Sequence, residues 1–313
     1  MTAPPPTVLG VAPRLPPTLQ NWAWLTAPVR AERAAAFRVA VGAVLLLDVL
    51  VQYLPHWKLF YGPDGIGSPD IHAEFMAAHW ARWSLLAPLP ASWGPPALLA
   101  LWAVSAVGLI VGYRPRLMAL VAWVLAVSFF NSHPYLHNGG DRIKIMALLM
   151  LAFLPSDGRW AVRKHPAART APGPVFVHPW PMRLMFIHLC TVYFFNGYYK
   201  FIGPGWRDGT VLHYVTHDPG WTHWSGEFFP MPPLAVNVLC WVTVIWELGF
   251  PLWVILKPTR NITLVIGVAF HLITFLHLEV GLFPLYAICG YVPILAWETW
   301  RQPKITSPPS PLS

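Results

Sequence analysis

Eight apolar runs, separated by shorter polar stretches, organise this 313-residue chain. They fall at about 34–54, 96–113, 117–130, 142–155, 182–202, 234–256, 261–280 and 282–298. Several approach the ~20 residues a helix needs to cross bilayer hydrocarbon. The pattern predicts an all-α, polytopic transmembrane helical bundle of about eight spans. The fourth run is too short to cross unless its helix begins inside the polar stretch before it. Non-helical backbone at that depth is tolerated only against protein or a water-filled cavity. Residues 1–30 hold seven prolines and read as an N-terminal tail. Residues 31–300 form the membrane domain, and 301–313 a polar C-terminal tail. No short apolar segment of signal-peptide type opens the chain, so the first run is expected to act as an uncleaved insertion signal. A Trp-containing stretch, 80–89, is expected along the interface, where tryptophan is favoured.

Composition sharpens this picture. The chain is 56% hydrophobic and 11% charged, against about 25% charged in soluble domains. With the N-terminus inside, the inner segments hold 14 of the 21 Lys and Arg residues. Six fall outside: Lys58, Arg82, Arg142, Lys144, Lys200 and Arg207. Arg38 lies within the first run. Basic loops stay on the cytoplasmic side, so an N-in, C-in topology is expected. The net charge of +8 therefore reads as a topology signal, and no nucleic acid is expected as partner. The three cysteines all sit in apolar runs without a CxxC, against a disulfide framework or thiolate metal site. His133/His137 and His213/His217 are four apart, but Pro134 interrupts the first pair and neither shows HExxH. No metal is expected. No internal repeat points to an inverted-repeat transporter.

Three places carry candidate chemistry. The stretch Asn131–Arg142 packs polar groups between two apolar runs, among them Asn131, His133, Tyr135, Asn138 and Asp141. Pro134 blocks a regular helix there, and Gly139-Gly140 permits unusual backbone or close approach. An ordinary hydrated loop would look much the same. The second place is Asn196–Asp208, with Lys200 and Trp206. A lysine held near apolar surface loses charge stabilisation and can serve as a base; alternatively it snorkels to the headgroups. The third is Glu247 and His271, deep inside the sixth and seventh runs. Ionisable groups at that depth usually have a partner, here each other or Lys200, and a purely structural pair would satisfy the same rule. Asp48 and Glu279, near span ends, are weaker candidates.

At these stretches the sequence resembles the vitamin K-dependent γ-carboxylase-like membrane proteins, also called HTTM-domain proteins. Three segments carry the resemblance. The first is Asn131-Ser132-His133-Pro134-Tyr135-Leu136 with Asn138-Gly139-Gly140-Asp141. The second is Tyr193 to Lys200 followed by Gly205-Trp206-Arg207-Asp208-Gly209. The third is Glu247-Leu248 with Pro251, Phe270-His271 and Gly281-Leu282-Phe283-Pro284. The order and spacing are similar over roughly residues 30–300. The resemblance implies a reduced isoprenoid quinone of vitamin K or menaquinol type as cofactor. It implies Lys200 as the base that deprotonates the hydroquinone, His133 as an assisting histidine, and His271 as a histidine of the later span. The animal enzyme has two adjacent lysines at the base position, where this chain has Tyr199-Lys200. It also carries a large soluble domain after the membrane part. This sequence ends about 15 residues after its last apolar run, the pattern of short bacterial-type members.

Two readings follow. One is a quinol-linked membrane enzyme working at the outer face, with epoxidation of the quinol and carboxylation of a peptide glutamate as the reactions the resemblance implies. In it Lys200, His133 and His271 act, and Asn131, Tyr135, Asn138, Asp141, Trp206 and Glu247 line the cofactor site. The other is a non-catalytic membrane partner in export or maturation of a small secreted peptide or toxin. In both, the chain sits in a multi-pass arrangement in the bacterial plasma membrane, among lipid. A transporter is a third, weaker expectation, since intramembrane ionisable groups also mark proton paths.

Overall fold

A computed structural model describes residues 6–14, 16, 26–66, 82–132, 138–224 and 230–295. Eight helices correspond to the eight apolar runs: α1 (Ala31–Asp48), α2 (Gly94–Val111), α3 (Pro115–Ser132), α4 (Gly139–Phe153), α5 (Trp180–Ile202), α6 (Pro233–Ile255), α7 (Lys257–His277) and α8 (Phe283–Cys289). Proline sits in the first positions of six of them, α2, α3 and α5 to α8. There its missing N–H costs nothing and its fixed φ suits the helix. The remaining boundary of note is α4, which opens with a capping box. The Asn138 side chain accepts from Gly140 N at 2.7 Å, and the Asp141 carboxylate accepts from Asn138 N at 2.9 Å. The fourth helix thus begins inside the polar stretch, as its short apolar run required.

Five of the helices are long and apolar enough to cross a membrane: α1 with its continuation to Tyr53, α2, α3, α6 and α7. Helix α5, with 23 residues, has the length but carries Tyr, His and Asn among its apolar positions. Helix α4 is short. The eighth run forms only seven helical residues and then turns up to Ile294; its last part lies outside the described residues. Helix α1 continues through a π-helical turn, Val49–Tyr53, in which Leu54 N donates to Val49 O at 2.8 Å.

The helices enclose two buried apolar clusters. One joins α1 to α4 with Tyr286 and Ala287 of α8 and the first turns of α5. The other joins α5, α6 and α7 with Tyr291 and Ile294. Aliphatic side chains such as Leu252, Val265 and Leu276 point outward instead. In water such a surface would be a liability, but against lipid it is the expected one.

The stretch read as a loose tail contributes to the fold. Strand β1 (Thr7–Leu9) pairs in parallel with β3 (Val175–Val177), and β2 (Val29–Arg30) pairs antiparallel with β3 on its other side. Leu9 is buried in the first cluster, which anchors the segment. Beneath this small sheet, fully buried Arg38 closes off helix and loop ends. Its guanidinium donates to the carbonyls of Ser156 at 3.2 Å, Ile110 at 3.1 Å, Trp160 at 2.6 Å and Arg159 at 3.4 Å, and to that of Leu109. Ile110 and Leu109 belong to the last turn of α2, whose carbonyls have no partner within the helix. Arg38→Met is therefore expected to lower stability by about 3 kcal/mol, because buried acceptors lose their donors. Unfolding in mixed SDS micelles measures it, with the exposed Arg116→Met as a control that should change little.

Candidate functional site

Two polar centres lie inside the bundle, and α8 stitches them together. The first is built around Lys144. On a helix, residues three apart share a face, so Asp141 and Lys144 of α4 meet at 2.8 Å. Across the bundle, Lys144 Nζ also donates to Asp48 of α1 at 3.0 Å and to the Tyr53 hydroxyl at 3.0 Å. An ammonium has three N–H donors, and all three are used. Tyr53 donates in turn to Asp141 at 3.3 Å, and Tyr286 of α8 donates to Asp48 at 2.9 Å. The rings of Tyr53 and Trp102 flank the ammonium at 4.8 Å and 5.2 Å, a cation–π cage. Lys144 was counted on the outer side of the membrane with Arg142. Its side chain is fully buried, because two carboxylates and a phenol converge on it from α4 itself and from α1 with its continuation.

A cavity of about 210 Å³ opens beside this centre. Asp48, Asp141, Asn138 and Tyr61 line one side, Gly281, Phe283 and Tyr286 the other. Burial and the negative charge of nearby Asp141 raise the pKa of the Tyr61 phenol, so it stays protonated. Gly140 lets α8 approach here: a Cβ at that position would lie 2.7 Å from Phe283 Cα.

The second centre holds the residues singled out by their depth. Lys200 of α5 and Glu247 of α6 form a bidentate pair, Nζ to Oε1 at 2.7 Å and to Oε2 at 2.6 Å. The lysine is partly exposed and the carboxylate buried, with side-chain exposures of 22% and 5%. The Trp206 ring lies 5.2 Å from Nζ. One turn inward, α5 presents Gly197, where a Cβ would sit 2.7 Å from Leu248 N and 3.0 Å from Glu247 Cβ. A glycine here lets the two helices touch and brings the pair together. Pro251, four residues after Glu247, has no N–H to give the Glu247 carbonyl, so α6 is weakened at that level.

Tyr193 lies on the same face of α5 as Gly197 and Lys200. Its hydroxyl is hydrogen-bonded to His271 Nε2 of α7 and to the Tyr291 hydroxyl. All three are buried. His271 Nδ1 is buried with no hydrogen-bond partner among the described residues. Glu247 lies within electrostatic reach of Tyr193 and Tyr291, and Lys200 of His271. The His271 ring also meets Phe283 edge to face, centroids 5.6 Å apart. Phe283 lines the cavity of the first centre, so the two centres are neighbours through a single ring.

The candidate residues therefore sort as follows. Lys200, Glu247 and Trp206 form one constellation, and His271 stands behind it with Tyr193. Glu247 pairs with Lys200 and not with His271. Asn138 and Asp141 belong to the Lys144 centre and its cavity. Asn131 stands apart, its side chain donating to the Trp83 carbonyl at 2.9 Å. His133 and Tyr135 lie outside the described residues. No group of three or more His, Cys, Asp or Glu side chains is arranged for a metal among the described residues. Sequence reasoning missed Lys144, Tyr53 and Tyr286. The signal available was the Asp141–Lys144 spacing inside a run that had to be helical.

Comparison with known proteins agrees with the architecture. The chain is 23% identical over 171 residues to the sporulation-delaying protein SdpB of Bacillus subtilis (strain 168). The match covers 52% of this chain and 52% of that protein, so the chain spans about half the length of this curated relative. No solved structure matches. The HTTM domain model matches residues 27–300; with its apolar helices, the chain is an integral membrane protein that belongs to the HTTM-domain family.

Proposed function

We propose that the Lys200–Glu247 pair is a proton-transfer site for a membrane-soluble quinol. The observation that carries this reading is the pair itself, bidentate at 2.7 Å and 2.6 Å, with the lysine partly exposed and the carboxylate buried. A lysine bound this way is ordinarily charged and cannot accept a proton. Its partner changes that, because in a poorly solvated site both members gain by becoming neutral. Proton transfer across the contact leaves a free amine on Lys200 and a carboxylic acid on Glu247. The amine then takes a proton from an acidic hydroxyl brought to it. Release of the Glu247 proton to water then restores the charged pair.

The surroundings fit an aromatic, hydroxylated ring on an isoprenoid tail. Phe194, Phe195, Tyr198 and Tyr199 are exposed on α5 beside Lys200, an aromatic approach from the bilayer. Trp206 would flank the ring, Lys200 would meet its hydroxyl, and His271 keeps an unpartnered ring nitrogen behind them. When bound, a quinol supplies an acidic hydroxyl and two electrons. His133, the assisting histidine by resemblance, stays a candidate. The reaction sits at the outer face of a bacterial plasma membrane in an N-in, C-in arrangement.

A second reading is favoured by the same closure of the pair. Bidentate pairing neutralises both charges, which suits a structural clasp between α5 and α6. In that case the chain is a non-catalytic membrane partner in export or maturation of a small secreted peptide. Its likeness to a protein named for delaying sporulation is compatible with either reading.

Extraction of gently purified protein separates them. The quinol reading expects a co-purifying isoprenoid quinone, detected by mass spectrometry and depleted in Lys200→Met/Glu247→Gln and in His133→Ala. No quinone, even after menaquinol is added back, would sink that reading and favour the partner.

A further inference from the structure

A second recess runs along the first two thirds of α5 and shares only Phe194 and Phe195 with the approach proposed for the quinol. It is a groove of about 620 Å³ between α5, α6, the start of α7 and Ile294. Along α5 it is lined by Arg183, Ile187, Cys190, Thr191 and Phe194. These are spaced as successive turns of one helical stripe, so the groove runs along the helix axis. Helices α5 and α6 touch at Gly197 and Leu248, whereas the groove opens beside Pro251, Val254 and Ile255. Proline inside α6 kinks or loosens it and accounts for the separation on that side.

The groove is apolar along its length and basic at one end. Arg183 and Arg260 both line it, and Arg33 lies within electrostatic reach of Arg183. Arg260 spends two donors on the carbonyls of Val254 and Ile255, each at 2.9 Å. A guanidinium has five, so donors remain for a ligand. Among the described residues no carboxylate lines the recess. From Arg183 to Phe195 the helix advances about 18 Å, close to one leaflet of a hydrocarbon core of about 30 Å. A groove one leaflet deep, greasy below and cationic at its mouth, fits a lipid with an acidic headgroup. It is too short for a spanning helix of a partner, and a neutral quinol carries no charge to match the two guanidinium groups.

We infer that this groove binds one anionic phospholipid, with its phosphate at Arg183 and Arg260 and an acyl chain laid along α5 towards Phe195. Basic pockets between helices at a membrane surface bind acidic headgroups in this way. Bound there, the lipid fills the gap that the α6 proline leaves and couples the bundle to leaflet composition.

The test uses the full chain in nanodiscs of equal phosphatidylglycerol and phosphatidylcholine, released into mild detergent and weighed by native mass spectrometry. One phosphatidylglycerol should be retained in preference to phosphatidylcholine. Arg183→Gln should reduce that retention about fivefold, as one basic residue at an anionic surface is worth. Ile187→Trp, which fills the groove and keeps both arginines, should reduce it as well. Arg116→Gln, basic but outside the groove, should not. Equal retention of the two lipids, retention unchanged in both groove variants, a retained quinone that Ile187→Trp displaces, or a dimer without lipid would each overturn the assignment. Unfolding of Arg183→Gln alone would leave Ile187→Trp to decide.

Discussion

Lys144→Met should be the most damaging single substitution in the bundle, lowering stability by about 3–5 kcal/mol. The lysine is fully buried and holds two carboxylates, at 2.8 Å and 3.0 Å. Removing it leaves Asp48 and Asp141 facing each other in an apolar surrounding, with Tyr53 and Tyr286 as their nearest donors. Two like charges in that setting cannot both remain ionised. The cost is thus mostly that of the stranded acids, and a second change should reveal it. Lys144→Met with Asp48→Asn should recover a large part of the loss, since the remaining carboxylate keeps the Asn138 backbone N–H at 2.9 Å. Unfolding in mixed micelles, monitored by tryptophan fluorescence, measures both. A loss below about 1 kcal/mol, the range of an exposed pair, would mean that the centre is hydrated.

Lys200→Met should abolish turnover of an added quinol if the proposed chemistry holds, by about 10²–10⁴-fold, the range of general-base catalysis. That variant alone is ambiguous. It also strands buried Glu247, and loss of fold would look like loss of activity. Lys200→Met/Glu247→Gln removes both charges and should restore wild-type unfolding behaviour while leaving turnover absent. Glu247→Gln alone keeps the lysine but removes the group that receives its proton, and should fall almost as far. Quinol oxidation in proteoliposomes, read beside stability for the three variants, decides the matter. Full turnover in the refolded double variant would assign the pair a purely structural role.

Much of this arrangement could be read from residue pattern. Apolar runs located the helices, because only helices and closed barrels satisfy their backbone in lipid. Glu247 stood out because charges at depth need partners, and of the two partners its position offered, His271 and Lys200, it is Lys200 that it meets. Lys144 did not stand out. It stands at the start of the fourth run, two residues after Arg142, so it read as one more charge on the outer side. Its partners lie 91 and 96 positions earlier, at Tyr53 and Asp48, a convergence that no local pattern encodes. Arg38 was noticed within the first run, but its carbonyl partners are backbone atoms and leave no trace in residue identity. Thr7–Leu9 was lost among prolines, too short for alternation to show, and only its pairing with Val175–Val177 makes it a strand.

The wide turn at Val49–Tyr53 gives the first helix a property its neighbours do not share. Such a turn corresponds to an α-helix with one residue inserted. Asp48 and Tyr53 are five apart, and a regular helix would aim them about 140° away from each other; through the wide turn both reach Lys144. Leu50 and Val51, between them, face outward. Deleting either would place the two polar residues four apart, on one face of an ordinary α-helix. The helix would shorten by about 1.5 Å with its aim preserved, whereas a deletion in a regular stretch swings everything beyond it by about 100°. The first helix can therefore lose one residue at this turn, and about 1.5 Å of length, without disturbing the buried charges it supports.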